Sequence, residues 1–349
     1  MKKWTRRELL PLIGVGLAGS ALVAANIKED ESEKKERLIE IPKYAKPPKL
    51  KKGDTIGICA PAGALRRREE VSEFTDVLNQ MGFQVKVGEN VYKKYGYFAG
   101  TDEERAADFM NFIEDETVNG IFFLRGGWGC ARILPLLDFD SIRKNKKVIM
   151  GFSDLTSLLN AITEHSGIVT FHGPGGNSSW NKYSIDYIKE VTMDQQLMEF
   201  KNTPDDHAII TYRPGFAYGT LWGGNLSVLV SMLGTPYFPK IINGILFLEE
   251  VGEEPYRIDR MLTQLKQAGA LDKCKGIILG NFRKCIAEEP DRAFTLEEVF
   301  EQHFGNIRMP VYYGAQIGHT VNKMTVPIGV DVRMDADEGT FRLTSRAVQ

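Results

Sequence analysis

Val148-Ile149-Met150-Gly151-Phe152-Ser153-Asp154-Leu155-Thr156-Ser157-Leu158-Leu159-Asn160-Ala161-Ile162 is the stretch on which the reading of this chain turns. Lys147 to Met150 has the length and apolar run of a buried strand, whereas Leu155, Leu158, Leu159 and Ile162 recur at i, i+3, i+4 and i+7, the spacing of a helix from about Asp154 to His165. A short apolar strand feeding straight into a helix is the repeating unit of a parallel sheet covered on both faces. Ser153 sits at that junction, and the stretch leaves two roles open. Serine is a preferred helix N-cap. It is also a nucleophile, and the free N–H groups of the helix start would stabilise an oxyanion formed beside it. The pattern departs from the G-x-S-x-G elbow, because position 155 is leucine.

Outward from this junction the same alternation continues. Strands are expected at Thr55–Cys59, Phe83–Val87, Gly120–Leu124 and Ile168–Phe171, and helices at Glu69–Met81, Asp102–Ile113 and Ala131–Leu137. Residues 51–175 therefore read as an N-terminal α/β domain that carries Ser153. Residues 176–215, rich in glycine, asparagine and proline around a polar helical stretch, read as a linker region. Residues 216–349 read as a second domain, with a strand at Gly244–Leu248, a helix at Pro255–Gln267, a strand at Gly276–Leu279 and another from Val311 to Ala315.

Length and composition agree with two domains. The 349 residues exceed what one ordinary core holds, and 43% hydrophobic with 26% charged residues is the balance of a soluble globular protein. A formal charge of −2 offers no basic stripe, which argues against nucleic acid as a partner. Residues 1–25 read as a twin-arginine-like signal peptide: Lys2, Lys3, Arg6 and Arg7 precede an uncharged run, and Val23-Ala24-Ala25 offers small residues to a peptidase. Residues 26–50, charged and then proline-containing, read as a tether. The body is expected in the periplasm or cell envelope, with an uncleaved membrane anchor as the alternative. Cys59, Cys130, Cys274 and Cys285 lack C-x-x-C spacing and are expected as reduced core or near-core thiols. No metal or organic cofactor is called for, and pairing of two chains stays open.

Four further segments carry chemistry. Arg125-Gly126-Gly127-Trp128-Gly129 follows a strand and could bring a backbone N–H close to a ligand, but Arg132 breaks the dinucleotide fingerprint. Ile245 to Val251 ends in Glu249-Glu250, where a carboxylate is costly to bury without a partner. Glu250, on the opposite strand face, is the weaker candidate, and periodicity does not decide between the two. Glu253 and Glu254, just before Pro255, complement a helix dipole. A serine needs a base, and the base needs an acceptor. Five histidines exist, His165, His172, His207, His303 and His319. His165 and His303 fall near helix ends, His172 follows a strand as a rival site residue, and His319 follows the strand ending at Ala315.

Taken in order, "GDTIGICAPAG", "RGGWGCARILPLLD", "GFSDLT", "FHGP", "GTLWGGNLSVLVSMLGTPYFP", "LFLEEVGEEPYRIDRMLTQL" and "IGHT" resemble the LD-carboxypeptidases, serine peptidases that include muramoyltetrapeptide carboxypeptidase and the microcin C immunity peptidases. The resemblance runs from about Gly53 to Val332. It implies a flavodoxin-like, parallel-sheet N-terminal domain and a smaller, mixed α/β C-terminal domain. It implies a triad of Ser153, Glu249 and His319, an oxyanion hole from the N–H groups of Gly127 and Asp154, and a murein peptide substrate. Trp222, in the Trp222–Leu226 segment, is expected as a cleft wall, with core packing as the alternative. A microcin-type immunity peptidase and an exported muropeptide-binding protein without turnover are the rival functions.

Overall fold

The computed structural model describes residues 44–203 and 208–349. The signal, most of the tether and His207 lie outside the described residues. Within them, strands run at β1 (Thr55–Cys59), β2 (Gln84–Val87), β3 (Gly120–Phe123), β4 (Val148–Gly151), β5 (Thr170–His172), β6 (Glu199–Phe200), β7 (Ile210–Arg213) and β8 (Phe216–Asn225). They continue with β9 (Ile245–Val251), β10 (Gly276–Arg283), β11 (Val311–Tyr313), β12 (Val326–Ile328), β13 (Asp331–Asp335) and β14 (Thr340–Leu343). The α-helices are α1 (Glu69–Gln80), α2 (Asp102–Glu114), α3 (Cys130–Ile133), α4 (Phe139–Lys144), α5 (Leu155–Ser166), α6 (Lys182–Thr192), α7 (Leu226–Ser231), α8 (Pro255–Gln267) and α9 (Leu296–Phe304).

Two sheets result. The first has the order β12-β5-β4-β3-β1-β2, in which β1 to β5 are parallel and β12 runs antiparallel along β5. The order 2-1-3-4-5 of its parallel part is that of flavodoxin-like doubly wound sheets, whose ligands collect at the carboxyl ends of the strands around the reversal between β1 and β3. All residues of β3 and β4 are buried, as helices on both faces require. The second sheet, β6-β14-β13-β8-β9-β10-β11-β7, is mixed: β8 to β11 are parallel and the flanking strands antiparallel.

Three features depart from expectation. Residues 176–215, read as a linker around a polar helical stretch, hold that helix as α6 but also the strands β6 and β7, which join the second sheet. The Gly-rich segment around Trp222 forms β8, a ten-residue strand in the middle of the second sheet. And α5, expected to be apolar on one face, is buried on nearly all sides, including Thr156, Ser157, Asn160 and Thr163. Two of its polar side chains bond to the neighbouring strand β8: Thr156 Oγ1 accepts from Asn225 N at 2.9 Å and Asn160 Nδ2 donates to Gly223 O at 2.9 Å. Such bonds are what make burial of these groups tolerable, and they fasten the helix that follows Ser153 to the strand that precedes Leu226. The four cysteines are buried free thiols. Among the described residues, no helix is long and apolar enough to cross a membrane.

Candidate active site

Ser153 lies between β4 and α5 with φ 66°, one of four non-glycine residues in the left-handed region among those described. An L-residue there costs on the order of 1–3 kcal/mol and persists where the surroundings impose it. The capping reading is corrected: the residue before α5 is Asp154, and neither its side chain nor that of Ser153 caps the helix. Instead, Asp154 Oδ2 accepts from Cys130 N at 2.9 Å, joining the β4–α5 turn to the start of α3. Burial raises the Asp154 carboxyl above its ordinary range.

The glycine-rich loop after β3 packs against this turn. A Cβ at Gly126 would stand 2.9 Å from Ser153 Cβ and 3.3 Å from Asp154 N, so only glycine allows the approach. The loop is held from behind: Gly63 N donates to Gly126 O at 3.2 Å, and Arg125 Nη1 to Ala64 O at 2.8 Å. Arg105, a buried guanidinium on α2, donates to Pro61 O, to Gly129 O at 3.0 Å and to Asp102. Nothing in its helical pattern distinguishes Arg105, and sequence reading missed it.

On the other side stand Glu249 and His319. Glu249, near the carboxyl end of β9, is fully buried. Its Oε2 accepts from His319 Nδ1 at 2.6 Å and from His319 N at 3.2 Å. A Cβ at Gly318 would collide with that carboxylate, so Gly318, at φ 98°, lets the backbone come close enough for the second bond. Burial pushes the Glu249 carboxyl up, but His319, with His172 and Lys323 further off, outweighs this and holds it below the usual carboxylate range. An ionised acceptor on Nδ1 leaves Nε2 as the basic nitrogen of the ring.

Glu250 points to the opposite side of the strand and serves structure. It accepts from Asn225 Nδ2 at 2.9 Å, Ser227 N at 2.7 Å and its neighbour Val251 N at 2.8 Å, so it ties the start of α7 to β9. His172 is buried, with Nε2 3.9 Å from Glu249 Oε1, and burial pushes its pKa down to about 4, leaving it neutral near pH 7. Phe152 links the two halves: its ring lies 5.0 Å from that of His319 and 6.3 Å from that of His172. Trp222 is corrected from cleft wall to core, being 2% exposed and edge-on to Tyr44 at 5.3 Å. His165 and His303, placed near helix ends by sequence, contact Pro236 O and Asp259 Oδ1. Among the described residues, no cluster of three or more His, Cys, Asp or Glu side chains could hold a metal.

A nucleophile candidate on a strained strand-to-helix turn and a buried carboxylate fixing an imidazole are the parts from which acyl-transfer hydrolases are built. Comparison with known proteins narrows the class. Models of the LD-carboxypeptidase N-terminal and C-terminal domains match residues 56–173 and 218–334. A probable murein peptide carboxypeptidase of Bacillus subtilis (strain 168) is 37% identical over 297 residues, covering 84% of this chain and 93% of the relative. The microcin C7 self-immunity protein of Escherichia coli is 30% identical over 328 residues, covering 84% of this chain and 94% of the relative. The crystal structure of a muramoyltetrapeptide carboxypeptidase from Oxalobacter formigenes superposes with a TM-score of 0.72 at 31% identity, covering 83% of this chain and 97% of that one. The chain belongs to the LD-carboxypeptidase family and is an enzyme, a serine-type carboxypeptidase.

Proposed function

We propose that the chain removes the terminal D-alanine from murein tetrapeptides, outside the cytoplasm, with Ser153, His319 and Glu249 acting as one triad. Ser153 Oγ attacks the carbonyl carbon between the L-configured centre and D-alanine while His319 Nε2 takes the hydroxyl proton. Glu249 holds the imidazole in the tautomer that exposes Nε2 and stabilises the cation that forms. The N–H groups of Gly127 and Asp154 receive the oxyanion, each donor worth about 3 kcal/mol in comparable sites. The imidazolium then returns its proton to the departing amine, D-alanine leaves, and the acyl chain stays on Ser153 as an ester. His319 next deprotonates a water, which attacks the ester and releases tripeptide and free serine.

The observation that carries this reading is the 2.6 Å contact between Glu249 Oε2 and His319 Nδ1, made by a fully buried carboxylate. The same oxygen also accepts from His319 N at 3.2 Å, so the carboxylate fixes both the ring and the loop that carries it. The packing of Gly126 on Ser153 supports the oxyanion assignment. The test is incubation of native protein and Ser153→Ala with purified disaccharide tetrapeptide, followed by mass spectrometry. Loss of one alanine residue with the native protein alone is expected. Equal loss with both rejects this nucleophile, and tight binding without loss points to a muropeptide-binding protein.

A further inference from the structure

The contact with His319 satisfies only half of Glu249. Oε2 has two donors, whereas Oε1 is buried with no hydrogen-bond partner among the described residues. His172 Nε2, 3.9 Å from Oε1, belongs to a ring that burial keeps neutral. An ionised carboxylate in such a place is costly unless positive charge faces it. While His319 is the neutral base awaiting substrate, it supplies none.

Lys323 is the buried cation of this neighbourhood. It lies four residues beyond His319 and is 2% exposed. Its backbone N donates to Ser184 Oγ at 3.0 Å, its Nζ lies 3.3 Å from Ser178 Oγ, and the same Nζ stands 3.3 Å over the ring of Phe152, the residue before Ser153. Among the described residues no carboxylate comes within 4.0 Å of it. The charged and titratable groups that face it or share its surroundings are Glu249 on β9, Arg283 on β10, His172 on β5 and His319 on its own loop. Of these only Glu249 is an acid.

We propose that Lys323 is a positioning residue for the reaction: its ammonium, packed on Phe152, is the counter-charge that keeps Glu249 ionised while His319 is a neutral base. This rests on the proposed role of His319. Burial pushes Lys323 down to about 7, against the pull of Glu249, so the ammonium is present on the acid side of neutrality, where the acid limb is read. With the ammonium removed, the pair takes up its proton at higher pH, and the base is lost sooner on acidification.

The test is kcat/KM against pH on disaccharide tetrapeptide for the native enzyme, Lys323→Met, Lys323→Arg and His319→Ala. Lys323→Met keeps the apolar stem over Phe152 and removes only the charge. Its acid limb is expected to move up by about one pH unit, while Lys323→Arg keeps the native limb to within a few tenths. An acid limb that coincides with the native one in Lys323→Met overturns the inference, whatever happens to the plateau or to Tm. Titration of the His319 ring by NMR in Lys323→Met and Lys323→Gln reads the same shift without turnover, and an unmoved imidazole there overturns it equally. Native turnover in His319→Ala would instead remove the base assignment, and this inference with it.

Discussion

Glu249 and Glu250 are consecutive on β9, both buried, and their environments could hardly differ more. Successive side chains on a strand point to opposite faces. Glu250 turns to the start of α7, accepts three hydrogen bonds from Asn225, Ser227 and Val251, and is held above its ordinary pKa, burial being the largest cause. Glu249 turns to the loop of His319, accepts from that residue alone, and is held below its ordinary value in spite of burial. The first is saturated by neutral donors that never change state. The second depends on the ring that gains and loses a proton in the proposed mechanism. Structure and chemistry are thus separated by one residue of strand register, which a slip in pairing would exchange.

Substitutions on the two faces test this separation. The largest effect is expected from Glu249→Gln, which keeps volume but cannot stabilise the imidazolium: kcat should fall by roughly 10³–10⁴-fold with Tm little changed. Steady-state kinetics and a melting curve on one sample check both halves, and a large drop in Tm with modest loss of rate would reverse the assignment of the faces.

The second concerns His172, on the far oxygen of Glu249. Its folded pKa of about 4 lies below the ordinary 6.5, so the unfolded chain binds the extra proton between those values. Its stabilising contribution is whole above about pH 6.5 and is lost as pH falls toward 4, on the order of 3 kcal/mol. Denaturant titrations at pH 7 and pH 4.5 should show that loss in the native protein and a flatter dependence in His172→Phe. Equal pH dependence in the two would show that His172 does not titrate as a buried neutral ring.

Glu250→Ala strands the N–H groups of Ser227 and Val251 and the amide of Asn225, and should cost about 2 kcal/mol of stability, with kcat/KM within about threefold at temperatures where the fold is intact. A loss of rate as deep as that of Glu249→Gln would dissolve the distinction. Smallest is Asn225→Ala, which removes one of the three donors to Glu250 together with the cap that Asn225 Oδ1 gives Val228 N. A melting shift equivalent to about 1 kcal/mol is expected.

The register of β9 also shows why the sequence was legible in some places and silent in others. The first sheet could be read because its strands are short apolar runs between helical patterns, and the spacing of Val71, Phe74 and Leu78 or of Ile258, Leu262 and Leu265 marks helices that bury one face. β8 was not recognised as a strand, since Gly219, Gly223 and Gly224 carry the signature of a loop and only its neighbours β9 and β13 make it extended. The crossing of β12 to the edge of the first sheet is a tertiary pairing with β5, and no local pattern announces it. At the site, Glu249 could not be separated from Glu250 by periodicity because β9 is buried on both faces and alternation carries no signal there. Trp222 was expected at the cleft only through the likeness of its segment to the family's, and the alternative, core packing, is what its burial shows. Lys323 and Arg105 gave no sign at all, because a charged residue in a polar context reads as solvated until the fold encloses it.

The central claim is that Ser153, His319 and Glu249 work as a unit, and non-additivity tests it most directly. kcat/KM on disaccharide tetrapeptide should be measured for Ser153→Ala, His319→Ala and the double variant. The account predicts that the double variant is no slower than either single one, because removing one member already silences the other. Losses that multiply, so that the double variant falls by the product of the two single factors, would mean that the serine and the histidine contribute independently, and would contradict it.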